Sequence, residues 1–250
     1  MTFCLGIRVR NGLVALADTK IVKGEEKLTK SKISLTHSGG RQWWLMTSGL
    51  RSVRDKTVTY LEQKLQYDHA PAQNLFAIAN LFGEQLRKVR LEDETALQSG
   101  NLQFNLHAII GGQLEHDAAP KMYYIYPEGN WIECNEDSPY FIIGRTHYAK
   151  PILDRLLRFD TDTKQAAALA FLGFDATRAC VTDVGYPIDM ILHQSHNNVI
   201  YQRFEATDLI QVSQWWNQTL RNALQQFPMD CFQSLFSYPN DESLGSSQSS

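Results

Sequence analysis

The strongest constraint in this sequence is a hairpin whose return strand is apolar at five successive positions. Residues 3–9 alternate around Leu5, Ile7 and Val9, Asn11-Gly12 supplies a two-residue turn, and Leu13-Val14-Ala15-Leu16-Ala17 follows. A strand with one wet face alternates apolar and polar residues, whereas a continuous apolar run needs cover on both faces. The chain therefore begins inside a layered fold, not at its surface.

The remaining pattern supplies the layers. Lys32 to Thr36 and Gln42 to Thr47 read as short strands with Gly39-Gly40 turning between them. Leu50, Val53, Val58, Leu61 and Leu65 recur at helical spacing, as do Leu75, Ile78, Phe82, Leu86 and Val89 after a break at Pro71. Strands return at Phe104–Ile110, Lys121–Tyr126 and Trp131–Cys134, then helices at Ala149–Leu157 and Thr161–Leu172. Ile188–Gln194 and Val199–Phe204 form a strand pair around the polar turn Ser195–Asn198, and Leu209, Val212, Trp216, Leu220 and Leu224 mark a last amphipathic helix. Hairpin-connected strands in blocks, separated by helix pairs, predict an α+β fold of two antiparallel sheets between helical layers: a four-layer αββα sandwich. A doubly wound fold would need strands and helices to alternate one by one. One domain is expected over residues 1–228, with 229–250 a tail that is partly disordered and Ser-rich from Asp241 onward.

Composition removes several function classes. The net charge of -3 comes from scattered charges, which fits neither a nucleic-acid binder nor a membrane-surface protein. Cys4, Cys134, Cys180 and Cys231 form no CxxC pair, so a zinc ribbon or disulfide framework is not expected. No signal-peptide pattern and no run of roughly 18 apolar residues occurs, which predicts a cytoplasmic protein. The absence of a Walker motif means that the chain is not expected to hydrolyse ATP, and neither a cofactor nor a metal is expected.

Methionine followed by a small residue is the ordinary substrate for removal of the initiator methionine, a step that would expose Thr2. Thr2 opens the first strand, Asp18 ends the return strand beside it, Lys32 begins the third strand, and Thr47-Ser48-Gly49 ends the fourth before a helix. This arrangement resembles the β-subunits of proteasomes and of the bacterial two-chain ATP-dependent protease, and within them Anbu, the ancestral beta subunit group. The resemblance rests on Met1-Thr2-Phe3-Cys4-Leu5-Gly6, Ala17-Asp18-Thr19, the segment from Ile143-Gly144-Arg145-Thr146 to Asp154-Arg155, and Gly185-Tyr186-Pro187-Ile188-Asp189. It extends over roughly Thr2 to Trp216.

The resemblance implies an N-terminal-nucleophile hydrolase with Thr2 as the nucleophile. A threonine hydroxyl needs an adjacent base, and a free α-amino group with a pKa of about 7.7–8.0 suits that task. Lys32 would favour the developing alkoxide, Asp18 would orient Lys32, and the Gly49 N–H would donate to the oxyanion. By the same resemblance Thr146 replaces a serine that supports the terminal amine, and Asp183 with Thr182 matches the remaining aspartate and hydroxyl. Arg145 stands where an acidic residue is usual and reverses the local charge. Thr19, Ile21 and Met46 are expected in the substrate pocket, with the latter two leaning towards an apolar side chain.

Plainer readings stand beside these. Taken alone, Asp18 and Lys32 are an ordinary structural ion pair, and Cys4 is a small wall residue on the Thr2 face of its strand. His193 and His196 sit three apart on a strand and face opposite sides, which disfavours a metal pair. Trp43-Trp44 and Trp215-Trp216 read as core and subunit-contact residues. The expected function is peptide-bond hydrolysis through a threonyl ester inside a homo-oligomer, either ring or helical array, dependent on loss of Met1 because no propeptide precedes Thr2. The expected partners are a peptide or protein substrate and, by the family's gene neighbourhoods, ATP-grasp-like, alpha-helical and transglutaminase-like proteins. The alternatives are an amidohydrolase acting on a small amide and a catalytically quiet oligomeric scaffold.

Overall fold

The structure, a computed structural model, describes residues 2–23, 26–38, 41–67, 72–194 and 198–236. The expected turn at Gly39-Gly40, the break at Pro71, residues 195–197 with His196, the Ser-rich end and Met1 lie outside these residues. Along the chain the elements are β1 (Phe3–Val9), β2 (Gly12–Asp18), β3 (Lys20–Lys23), β4 (Glu26–Thr29), β5 (Ile33–Ser38), β6 (Arg41–Gly49), α1 (Arg51–Tyr67) and α2 (Leu75–Ser99). There follow β7 (Leu106–Gly112), β8 (Lys121–Ile125), β9 (Trp131–Glu133), β10 (Tyr140–Gly144), α3 (Lys150–Leu156), α4 (Thr163–Cys180), β11 (Ile188–Gln194), β12 (Asn198–Phe204) and α5 (Ala206–Gln225). A 3₁₀ turn, Met229–Phe232, and α6 (Gln233–Phe236) come last.

Two five-stranded antiparallel sheets carry the fold, ordered β10-β1-β2-β11-β12 and β5-β6-β7-β8-β9, with β3 and β4 paired separately. β2 is buried at every position, as its unbroken apolar run requires, with β1 and β11 on its two edges. Period-two alternation on β6 separates the layers. Trp43 and Leu45 join Val53, Leu61, Ile78 and Phe82 of α1 and α2, whereas Trp44 and Met46 meet Cys4, Leu13 and Ala15 of the other sheet. On the far face of that sheet, α4 packs on β1 and β2, with Phe174 and Phe3 ring centroids 6.2 Å apart. The order is thus helices, sheet, sheet, helices.

Local chemistry sets the helix boundaries. Asn74 caps α2 by accepting from Ala77 N at 2.9 Å, and Asp162 caps α4 by accepting from Lys164 N and Gln165 N. The buried Asp117 carboxylate accepts from Leu75 N and Leu114 N, tying the start of α2 to the end of β7. Each apolar side chain sealed under these helices contributes about 1.5–3 kcal/mol.

Four elements differ from expectation. β3 and β4 are an additional hairpin, so Lys32 precedes the fifth strand in chain order although it leads into the third strand of the two large sheets. β10, which the sequence pattern did not reveal, is the outer neighbour of β1. α4 continues to Cys180 instead of stopping at Leu172; Gly173 lies within it, where an added Cβ would come 3.0 Å from Ala149 Cβ, and so serves the contact with α3's start rather than ending the helix. The chain divides into two compact units, the first ending at Asp208 and the second running from Leu209. In the second, the Phe227 and Phe232 rings stack with centroids 5.7 Å apart.

Two consequences can be measured. His193 pairs in register with Leu13 on the face between the sheets, is fully buried, and neither ring nitrogen has a partner among the described residues. Burial pulls its pKa down to about 4. An unfolded histidine takes up its proton near 6.5, so from about pH 6.5 down to 4 the unfolded chain binds more protons and folding stability falls, by about 3 kcal/mol over the window. Denaturation at pH 7.5 and 4.5 reads this loss, which His193→Phe removes. The second concerns Gly144, whose φ is +96° and where an added Cβ would lie 1.8 Å from Thr2 O. Gly144→Ala is expected to lower the unfolding free energy by at least about 1–3 kcal/mol from backbone strain alone, measured by the shift in denaturation midpoint.

Candidate active site

The end of the sandwich where β1 starts and β2 finishes gathers most of the chemistry. Thr2 is buried, and its carbonyl accepts from Arg145 N at 3.1 Å as β10 leaves the sheet. Phe3 N donates to Asp18 Oδ1 at 2.8 Å, closing the mouth of the hairpin with a side chain where the ladder ends. Lys32 Nζ lies 2.5 Å from the same oxygen and donates also to Lys20 O at 3.0 Å. Asp18 is fully withdrawn from solvent and the Lys32 side chain retains 9% exposure.

These contacts place two charges in the interior. Burial pushes the Asp18 carboxyl up from its ordinary value, opposed by the Lys32 ammonium and the Phe3 N–H. Burying such a pair is costly unless other hydrogen bonds support it, and here two main-chain groups supply one bond to each partner. Asp18 Oδ2 is buried and meets no donor among the described residues. Cys4, behind Thr2, has its thiol pushed up to about 12 by burial, which keeps it protonated and non-nucleophilic.

The second sheet reaches the same place through β5 and β6. Thr47 N donates to Lys32 O at 3.3 Å, and two residues later Gly49 ends β6 with φ +145°. An added Cβ at Gly49 would lie 2.2 Å from Asn105 O, so only glycine lets the chain turn there before α1. Thr146 follows directly on Arg145 and is half-buried. Arg145 Nη2 lies 3.2 Å from Asp183 Oδ2. Partial burial works against ionisation of Asp183, but the Arg145 hydrogen bond and charge outweigh it and hold the carboxyl below its usual value.

The three residues expected in the pocket differ in accessibility. Thr19 is fully buried, and both its N–H and its hydroxyl donate to Pro187 O, at 3.0 and 2.7 Å. Met46 is fully buried between the sheets, and Ile21 is half-exposed. Trp43 and Trp44 are both core residues.

Sequence reasoning missed three contributors. Lys20 supplies a carbonyl to Lys32, and its own Nζ donates to Thr182 O. Gly144 permits the close approach to Thr2 described above. Asp189, opposite Ala17 and fully buried, takes two hydrogen bonds from Arg203, from Nε at 2.7 Å and from Nη2 at 2.9 Å. Asp189 stood at the end of the Gly185–Asp189 segment, but its partner is identifiable only once β11 and β12 are in register.

Among the described residues no group of three or more His, Cys, Asp and Glu side chains is placed to hold a metal ion, and no helix is long and apolar enough to cross a membrane. No curated protein matches the sequence significantly. The family model for the proteasome subunit matches residues 2–175. Solved structures are similar over nearly the whole chain. An Anbu (Gly-1) mutant from Hyphomicrobium sp. strain MC1 is 32% identical with a TM-score of 0.81, covering 90% of this chain and 99% of that one. Anbu from Yersinia bercovieri is 27% identical with a TM-score of 0.79, over 90% and 97% of the two chains. The Anbu complex from Pseudomonas aeruginosa, solved as a helical assembly, is 27% identical with a TM-score of 0.83, over 95% and 98%. With this fold, this family match and these neighbours, the chain belongs to the proteasome subunit family and, within it, to Anbu, the ancestral beta-subunit group.

Proposed function

We propose that this chain is a threonine-type peptide hydrolase that acts through Thr2 once Met1 has been removed. The observation that carries the reading is the buried Asp18–Lys32 contact of 2.5 Å, fixed to the first residues of β1 through Phe3 N. A scaffold has no need of an ammonium buried at that point, and two buried charges are a costly ornament for a hairpin end.

In the proposed reaction the free α-amino group of Thr2 takes the proton from its own hydroxyl, and Oγ attacks the carbonyl carbon of the scissile bond. Lys32 favours the alkoxide electrostatically, and Asp18 keeps Lys32 in place. The Gly49 N–H donates to the oxyanion of the tetrahedral intermediate, a contribution of about 3–4 kcal/mol for a donor of this kind. The amine then returns the proton to the leaving nitrogen, the C–N bond breaks, and water hydrolyses the ester with the same amine as base. Thr146 and Asp183 support the amine. Arg145 holds Asp183 ionised, so the reversed charge at position 145 has a carboxylate partner. Thr19, with its hydroxyl spent on Pro187 O, shapes the pocket through its backbone, and Ile21 supplies apolar wall, whereas Met46 is enclosed in the core between the sheets.

The helical assembly of the Pseudomonas aeruginosa relative supports homo-oligomerisation of this chain as well. Hydrolysis of a small amide would use the same atoms and differ only in what the pocket admits.

Intact mass before and after treatment with a threonine-directed epoxyketone tests the reading. Loss of Met1 and one adduct mapped to Thr2 are expected. A retained Met1 would turn the base into an amide and sink the proposal. Thr2→Ala is expected to abolish hydrolysis while leaving the assembly's sedimentation unchanged; loss of assembly would assign Thr2 a packing role.

A further inference from the structure

A cleft of about 260 Å³ opens beside β10, and neither the catalytic reading nor the family match gives it a task. Its floor is aromatic. Tyr124 stands at the centre, with the Tyr126 ring 5.0 Å away and the Phe141 ring 5.5 Å away between centroids. Ile132, 43% exposed, forms the rim on β9, and Thr146 and Lys150 close the other side.

Two walls connect this cleft to the candidate active site. On the first sheet, Thr146 lines the cleft and follows Arg145, whose N–H holds Thr2 O. On the second, the Tyr124 hydroxyl lies 3.0 Å from His107 Nδ1, and His107 is the register partner of Ser48, one residue before Gly49. Burial raises the Tyr124 phenol to about 12 and draws His107 below its ordinary value. The phenol and the ring share this hydrogen bond in their neutral forms, which fixes Tyr124 against the cleft floor.

The edge of β10 adds a backbone template. Arg145 N donates to Thr2 O and Arg8 N donates to Pro139 O, which sets the phase of the β1–β10 ladder. Alternate residues turn their polar groups the same way, so Phe141 and Ile143 face β1 while Tyr140 and Ile142 present N–H and C=O outward. β10 is the outermost strand of its sheet, and no strand among the described residues takes up those groups. Ile142 stands three residues before Arg145, whose N–H holds Thr2 O, so at about 3.3 Å per residue the cleft wall lies about 10 Å along the strand from that contact.

We propose that this cleft is a substrate subsite: an extended peptide adds to the free edge of β10 and places an aromatic side chain on Tyr124, Tyr126 and Phe141. The inference rests on the peptide-hydrolase reading for its substrate class, and it makes the enzyme selective at a position away from the scissile bond. Edge pairing supplies sequence-tolerant affinity, and the aromatic floor supplies the choice of side chain.

The test uses the full-length Thr2→Ala protein, which separates binding from turnover. The probe is an acetylated, amidated octapeptide of alanine and threonine with one central p-benzoylphenylalanine. On illumination the cross-link is expected within residues 124–132 or at Phe141, and the amides of Tyr140 and Ile142 should exchange more slowly with peptide present. Replacing the exposed rim residue, Ile132→Asp, should lower the cross-link yield by about tenfold, and the same peptide with phenylalanine should compete where one with aspartate does not. Cross-links elsewhere, or an unchanged yield with Ile132→Asp, overturn the proposal. So does slow exchange at Tyr140 and Ile142 before peptide is added, which would mean that a second copy of the chain already covers the edge. Failure of the Thr2 adduct in wild-type protein is a separate result and bears on the hydrolase reading alone.

Discussion

An ammonium and a carboxylate removed together from water lose more hydration than their attraction restores, unless the surroundings complete their hydrogen bonds. Around Asp18 and Lys32 the main chain supplies part of that completion, through Phe3 N on one side and Lys20 O on the other. Each of these groups has its own anchor. Thr19 is held twice by Pro187 O, and Thr47 N fixes the backbone of Lys32. Phe3, the Asp18–Lys20 turn and Lys32 thus meet at one pair of charges, and backbone bonds join them to Thr47 and Pro187. The sheet order makes this possible, because β1 and β2 lie side by side in one sheet while β5 and β6 deliver Lys32 and Gly49 from the other.

What could be read in advance follows from how each feature is written. Burial on both faces leaves an unbroken apolar run, so β1 and β2 were legible to within a residue. Amphipathic helices repeat often enough that α1 and α2 were located too, although α2 runs on to Ser99, well past the last periodic position at Val89. β10 offers only five residues between loops and has no alternation to betray it. β3 and β4 are charged and short, and backbone pairing rather than an apolar face defines them. At Gly173 a local rule misled: glycine usually ends a helix, but here the missing Cβ serves helix packing.

The site was legible in the same uneven way. Thr2, Asp18 and Lys32 sit at strand ends whose positions the hairpin length determines. Gly49 and Thr146 came from family resemblance, since no local pattern in the sequence singles them out. Asp189 and Arg203 were out of reach, because an ion pair between neighbouring strands depends on register, and register is a property of the assembled sheet. The role of Arg145 was also out of reach, since whether a changed charge disrupts or completes a cluster depends on which carboxylate stands opposite.

The contact between Lys32 and Lys20 O has a bearing on evolutionary comparison. A carbonyl is present whatever residue occupies the position, so this contact, unlike the Lys20 Nζ hydrogen bond to Thr182 O, survives a change of side chain at position 20. Profiles of residue frequency would not register it. What the Lys32 contact requires is the path of the backbone, which no single letter of the sequence records.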